Sequence, residues 1–151
     1  MLNFQPTESP GFLVGRVAHA LNLSVQEFLD EGDIPVSVEE LRILTVVAHL
    51  DGPKQMKPLA ELLGRDATTV SRQIAGLERR KLVKRSPCPD DGRATVVKIT
   101  TPGEKLVERT LPMTRALRKQ AMKGISSADA KVLTRALLQM LRNLRQDDAS
   151  S

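Results

Sequence analysis

The chain has 151 residues and a mass of 16.6 kDa, room for one domain plus an element such as a dimerisation arm, and too little for two large catalytic domains. Hydrophobic residues at 40% and charged residues at 27% predict a buried core, while Phe4, Phe12 and Phe28 as the only aromatic side chains argue against a platform that stacks single-stranded bases. The net charge of +5 is unevenly placed: residues 54–100 hold eleven basic and five acidic side chains, so that third carries +6 and the rest −1, as suits a polyanion-facing module on a neutral body.

Ser9-Pro10 opens the first periodic stretch, and Phe12, Leu13, Val17, Leu21 and Phe28 recur near helical spacing, predicting a long first helix to about Leu29. The cluster Asp30-Glu31-Gly32-Asp33-Ile34-Pro35 breaks it. Ser37 and Glu40 have the spacing of a capping box ahead of a second helix through Leu41, Leu44 and Val47 to Leu50, which Asp51-Gly52-Pro53 ends. Pro58 opens a short third helix with Leu59, Leu62 and Leu63 inward, and Gly64 stops it. Asp66 caps a fourth helix after a very short connection, the outline of a helix-turn-helix. From Leu82 to Thr100 two β-favouring runs flank the polar stretch 86–93, which predicts a β-hairpin. Thr101-Pro102-Gly103-Glu104 reads as a second capping box opening a fifth helix, with Pro112 expected to kink or interrupt it. Ser126 and Asp129 repeat the cap spacing before a sixth helix bearing Val132, Leu133, Ala136, Leu137, Met140, Leu141 and Leu144. Its apolar stripe is wider than so small a chain can cover, which suggests a partner subunit.

At about 100° per residue, Val70, Ile74 and Leu77 share one side of the fourth helix and Thr68, Arg72, Gly76 and Arg79 the other, with Thr69, Ser71 and Gln73 on the flanks. Such an outward set suits a major groove, where Arg pairs bidentately with guanine and Gln with adenine. Taken alone it equally suits a solvated helix. Arg85 on one hairpin strand and Arg93 at the far edge of the loop can reach backbone phosphate or a narrow minor groove, so that helix and hairpin would grip neighbouring grooves.

The ordered set Leu59-Ala60-Glu61-Leu62-Leu63-Gly64, Thr69-Val70-Ser71-Arg72, Leu77-Glu78-Arg79-Arg80-Lys81-Leu82-Val83-Lys84-Arg85, Asp91-Gly92-Arg93, Ile99-Thr100-Thr101-Pro102-Gly103 and Gly124-Ile125-Ser126 resembles the MarR family of bacterial winged-helix transcription regulators over nearly all of residues 11–145. The resemblance implies a mainly α fold with a small β-hairpin wing, a winged helix-turn-helix flanked by N- and C-terminal dimerisation helices. In that organisation residues 9–50 hold the first two helices, one for dimerisation and one supporting the core. Residues 51–100 form the DNA-binding core, 101–147 the C-terminal dimerisation helices, and 148–151 a disordered tail. It further implies a homodimer, most often a repressor, that binds a palindromic operator in double-stranded DNA. Thr68, Thr69, Ser71, Arg72 and Gln73 would then touch bases or adjacent phosphates, with Arg79, Arg85 and Arg93 also at the duplex and Asp91 positioning Arg93 in the wing. Two departures stand out: Lys81 replaces the usual glycine before Leu82-Val83, and Gly92 replaces a common second wing arginine.

Many members of the family also bind small acids between the dimerisation helices and the winged domain, which makes a small-molecule effector a further expected partner. Arg16, His19, Arg42 and His49 could offer polar groups to it, although each also reads as an ordinary surface residue. Cys88, expected to be exposed between two prolines of the loop, is either a redox switch or an incidental loop cysteine. Being the lone cysteine it makes no intrachain disulfide, and with only two histidines beside it no Cys/His zinc framework assembles, so neither metal nor cofactor is expected. No nucleophile elbow, zinc-protease motif, phosphate-binding Gly-rich loop or dinucleotide fingerprint occurs, so no catalytic residue is expected. There is no apolar run of about 18 residues and no signal-peptide pattern after Met1, and the expected location is the cytoplasm. The competing reading is a winged-helix scaffold that binds proteins without reading DNA.

Overall fold

A computed structural model describes residues 5–50 and 54–148; Phe4, the expected turn at 51–53 and residues 149–151 of the expected tail lie outside the described residues. After a 3₁₀ turn at Pro6–Glu8 the elements run α1 (Pro10–Glu31), α2 (Val38–His49), β1 (Lys54–Gln55), α3 (Met56–Leu63), α4 (Ala67–Arg79), β2 (Val83–Pro87), β3 (Thr95–Ile99), α5 (Thr101–Ala121) and α6 (Ser127–Asp148). The fold is mostly helical with one small antiparallel sheet. The chain divides into two compact units, Met1–Thr114 and Arg115–Ser151.

Local chemistry places most boundaries of the first unit. Ser37 Oγ accepts the Glu40 backbone N–H at 3.1 Å while Glu40 Oε2 accepts that of Ser37 at 2.9 Å, the reciprocal cap that starts α2. Gly64 ends α3 in the left-handed region, φ 64°, where a side chain would be strained. At the far end of α4, Lys81 adopts φ 60° although it is not glycine, so the departure from the family pattern leaves the turn in place at a steric cost of about 1–2 kcal/mol.

Val70, Ile74 and Leu77 are fully buried, each contributing about 1.5–3 kcal/mol of apolar burial. They pack with Leu41, Ile43, Leu44 and Val47 of α2, Leu59 and Ala60 of α3, Leu82 and Val83 beside and in β2, Val97 of β3 and Val107 of α5. Leu62 does not join them as expected: it is 57% exposed. The inward stripe of α3 is Met56, Leu59, Ala60 and Leu63, and Leu62 falls beyond its edge at about 100° per residue.

The sheet order is β1-β3-β2, with Lys54 opposite Val97, Gln55 opposite Val96, and β2 paired to β3 from Val83–Ile99 to Pro87–Thr95. The hairpin therefore gains a third strand absent from the sequence expectation, since two polar residues carry no alternation to read. The cap of α5 also moves by one residue. Thr100 Oγ1, not Thr101, accepts the Gly103 N–H at 3.2 Å and donates to Lys81 O at 2.6 Å. Gly103 lies so close to the hairpin base that a Cβ would stand 2.2 Å from Leu82 O and 2.8 Å from Ile99 Cγ1. Pro112 sits inside α5 without interrupting it. Its ring removes the N–H that the Glu108 carbonyl would use, and the exposure of Glu108 lets water take that place.

In the second unit the end of α5 turns through Gly124, φ 82°, and Ser126 Oγ accepts the Asp129 N–H at 3.1 Å to start α6. No described residue of α6 is buried, and Val132, Leu133, Leu138, Leu141 and Leu144 are 44–65% exposed. The helix continues to Asp148, the first residue assigned to the tail.

Candidate nucleic-acid interface

The helix pair α3–α4 is joined by Gly64, Arg65 and Asp66, and Asp66 sets where α4 begins. Its Oδ1 accepts the Thr69 N–H at 2.8 Å and its Oδ2 the Thr69 hydroxyl at 2.6 Å. The Thr69 hydroxyl, then its N–H, hold the Asp66 carboxyl below its ordinary range, and the nearby Arg72 charge adds to this. Thr69 is thus committed to the cap, with its methyl left for contacts outside. Burial of the Val70, Ile74 and Leu77 row turns the opposite side of α4 to solvent: Thr68, Arg72 and Arg79 are exposed, and Ser71 and Gln73 half-buried.

Most of the arginines from α2 to the wing sort into two groups. Arg42 and Arg65 both pair with Glu39 at 2.9 Å, and Arg80 pairs with Glu40 at 2.5 Å while also donating to the Pro35 carbonyl. The Arg65–Glu39 and Arg80–Glu40 pairs tie the α3–α4 connection and the end of α4 to α2, while Arg42–Glu39 lies within α2. Arg72, Arg79 and Arg93 make no ion pair among the described residues and lie on α4 and the wing. An Arg with its fork unoccupied can meet guanine or phosphate without first breaking a protein contact.

Arg85 is intermediate between the groups. Its Nε donates to Glu78 Oε1 at 3.1 Å and its backbone N–H to Glu78 Oε2 at 2.7 Å, so its guanidinium is partly held by the end of α4. The Arg85 N–H and guanidinium hold the Glu78 carboxyl below its ordinary range. At the wing tip, Asp91 Oδ1 accepts the Arg93 N–H at 3.0 Å, fixing the turn from which the exposed Arg93 projects. Lys84 stands directly opposite Lys98 across the β2–β3 ladder and both are exposed. Like charges in that relation repel, and a row of phosphates would relieve them.

Cys88 departs from expectation. It is 8% exposed, its N–H donates to Ala94 O at 2.8 Å, and Gln55 Nε2 lies 3.6 Å from its sulfur. Strand β1, invisible in the sequence pattern, brings Gln55 over it. Of the residues that could greet a small molecule, Arg42 is held by Glu39 and by Asn22 at 3.0 Å, and His49 Nδ1 is 2.8 Å from Thr45 O. Arg16 and His19 line an open groove on α1 with Phe12 and Leu23. Among the described residues no group of three His, Cys, Asp or Glu could hold a metal, and no helix is long and apolar enough to cross a membrane.

Sequence reasoning missed four contributors. Glu78 reaches a residue seven positions away across a helix end, outside any helical or strand period. Gly103 matters through a steric approach, and Thr100 through a tertiary hydrogen bond to Lys81. The Lys84–Lys98 pairing needs the hairpin register, which the loop length alone left undetermined.

A family model described as MarR family matches residues 33–94, the stretch from the entry of α2 to the wing tip. The HTH-type transcriptional regulator YxaD of Bacillus subtilis is 30% identical over 115 residues, covering 75% of this chain and 80% of that protein. The HTH-type transcriptional repressor IacR of Pseudomonas putida is 26% identical over 141 residues, 93% of this chain and 83% of its own. In structure, the S. aureus MepR–DNA complex superposes with a TM-score of 0.77 at 24% identity, covering 89% of this chain and 98% of that one. The chain belongs to the MarR family of helix-turn-helix transcription regulators.

Proposed function

We propose that the protein is a cytoplasmic, homodimeric repressor that reads a palindromic operator, each copy laying α4 in a major groove and its wing in the adjoining minor groove. The observation that carries this reading is the set of unpaired, exposed arginines, Arg72 and Arg79 on α4 and Arg93 at the wing tip, beside arginines that the fold itself engages. Thr68, Ser71, Arg72 and Gln73 face the bases or adjacent phosphates, as does the Thr69 methyl. Arg79 meets backbone phosphate and Arg93 the minor groove, with Asp91 holding its turn and Arg85 steadying the strand. Repression follows the sense of IacR, and duplex DNA as the partner follows the MepR complex. A scaffold that bound only proteins would have no use for lysines opposed across the wing.

Two features support the homodimer. The leucines of α6 lie uncovered within one chain. Residues 1–53 hold two basic and eight acidic side chains, whereas 115–151 hold eight basic and three acidic, so the N-terminal part of one copy and the C-terminal part of another attract.

The test is a gel shift on the duplex flanking its own gene at two salt concentrations. Arg72→Ala should weaken binding by about 1–3 kcal/mol and relax preference at one base position. Arg93→Ala should lower the salt slope by about one. An unchanged affinity and slope in both would overturn the reading. The same assay screens small aromatic acids as effectors, a partner that the family resemblance implies.

A further inference from the structure

Glu78 is the penultimate residue of α4, where a carboxylate opposes the negative end of the helix dipole. It also belongs to the helix read above as entering a DNA groove, where a negative charge repels phosphate. Its position is unfavourable on both counts unless the carboxylate does something else. Its two oxygens divide between the two donors of Arg85: Oε2 takes the backbone N–H at 2.7 Å and Oε1 the Nε–H at 3.1 Å. β2 is an edge strand of the three-stranded sheet, with β3 on one side and no strand on the other. The Glu78 carboxylate thus occupies the place that a neighbouring strand's carbonyl would take, and it ties the edge of the wing to the end of the helix.

We propose that Glu78 is a positioning residue that sets the wing against α4, so that Arg93 is delivered to its groove at the same time as Arg72 reaches its own. The proposal rests on the two-groove reading of α4 and the wing. Glu78 meets no DNA itself and acts through Arg85 and β2. The connection from Arg80 to Leu82 is held to the end of α4 by backbone bonds, Lys81 N–H to Glu78 O at 2.9 Å and Leu82 N–H to Leu77 O at 3.0 Å among them, and to Thr100, just before α5, by Thr100 Oγ1 on Lys81 O and Thr100 N–H on Leu82 O at 3.1 Å. Beyond those backbone bonds, Glu78 is, among the described residues, the side chain of α4 that hydrogen-bonds the strand carrying the wing.

The isosteric variant Glu78→Gln separates this role from simple electrostatics by sign. Gln keeps one acceptor oxygen and replaces the other with a donor, so it cannot receive the two Arg85 groups on separate oxygens as Glu78 does. Removing a negative charge and freeing the Arg85 guanidinium would by themselves tighten binding to the duplex flanking the protein's own gene. Loss of positioning instead weakens it by about five- to tenfold, and by less than about twofold once Arg93 is already Ala, because the wing then has little left to lose. Tighter binding, or an equal loss with and without Arg93, overturns the proposal. A second measurement needs no DNA. Backbone amide relaxation by NMR should show greater motion of residues 88–94 in Glu78→Gln, with α4 amides unchanged, and an unchanged wing tip overturns the proposal even if α4 and the wing prove to bind no duplex. If the wild type binds no duplex at low salt while the tip loosens as expected, the DNA reading fails and the mechanical role of Glu78 stands.

Discussion

Helices α4 and α6 are both amphipathic, and the contrast between them separates what one chain can stabilise from what it cannot. On α4 the row Val70, Ile74 and Leu77 is fully buried, whereas on α6 Leu133, Leu141 and Leu144 are 44%, 53% and 65% exposed. An apolar stripe specifies that a helix wants a partner, and only the elements opposite decide whether the chain supplies it. The first unit supplies it from α2, α3, the sheet and α5, whereas the leucines of α6 in the second stay uncovered.

Four substitutions or conditions would break or sharpen this contrast. Leu77→Ala should destabilise the first unit by about 2–5 kcal/mol in chemical unfolding at any protein concentration, since it opens a cavity in a closed core. Leu141→Asp should act chiefly through assembly, shifting sedimentation from dimer to monomer; a variant that stays dimeric with unchanged stability would mean that α6 meets solvent. Gly103→Ala should cost about 1–3 kcal/mol, measured by thermal unfolding, because the new methyl meets the Leu82 carbonyl and the base of the wing has to shift.

The smallest effect concerns pH and belongs to the first unit alone. Asp66 and Glu78 are held below their ordinary range by the hydrogen bonds that Thr69 and Arg85 donate. A depressed folded-state value favours the ionised form in the native state. Their contribution is therefore complete above the unfolded-state values and lost as pH falls through the lower folded ones, with the decline beginning near pH 4.5. Asp66→Asn retains a good cap without that titration, so its thermal midpoint should fall less between pH 5 and pH 3 than the wild type's.

Much of the exposed face of α4 is legible in the chain. Asp66 before a periodic stretch marked the start of α4, and the spacing of Val70, Ile74 and Leu77 then dictated that Thr68, Arg72 and Arg79 face outward. The relation between α4 and the wing was not legible. Glu78 partly holds Arg85, and Gln55 of β1 covers Cys88, contacts that no helical or strand period connects. Leu62 neighbours Leu59 and Leu63 in spacing, and only the elements packed against α3 set the edge of its buried stripe short of it. Each of these depends on a neighbour far along the chain, which periodicity cannot name.

Local rules acting over three or four residues were enough to set the helices, their caps, the outward face of α4 and the excess of positive charge, because backbone donors at a helix start and apolar side chains in register have few ways to be satisfied. Close packing decided the remainder. Whether an arginine is paired or free, whether a methyl fits at Gly103 and which strand edge Glu78 covers are questions of distance in space, answered once the core has brought α2, α4, the sheet and α5 together.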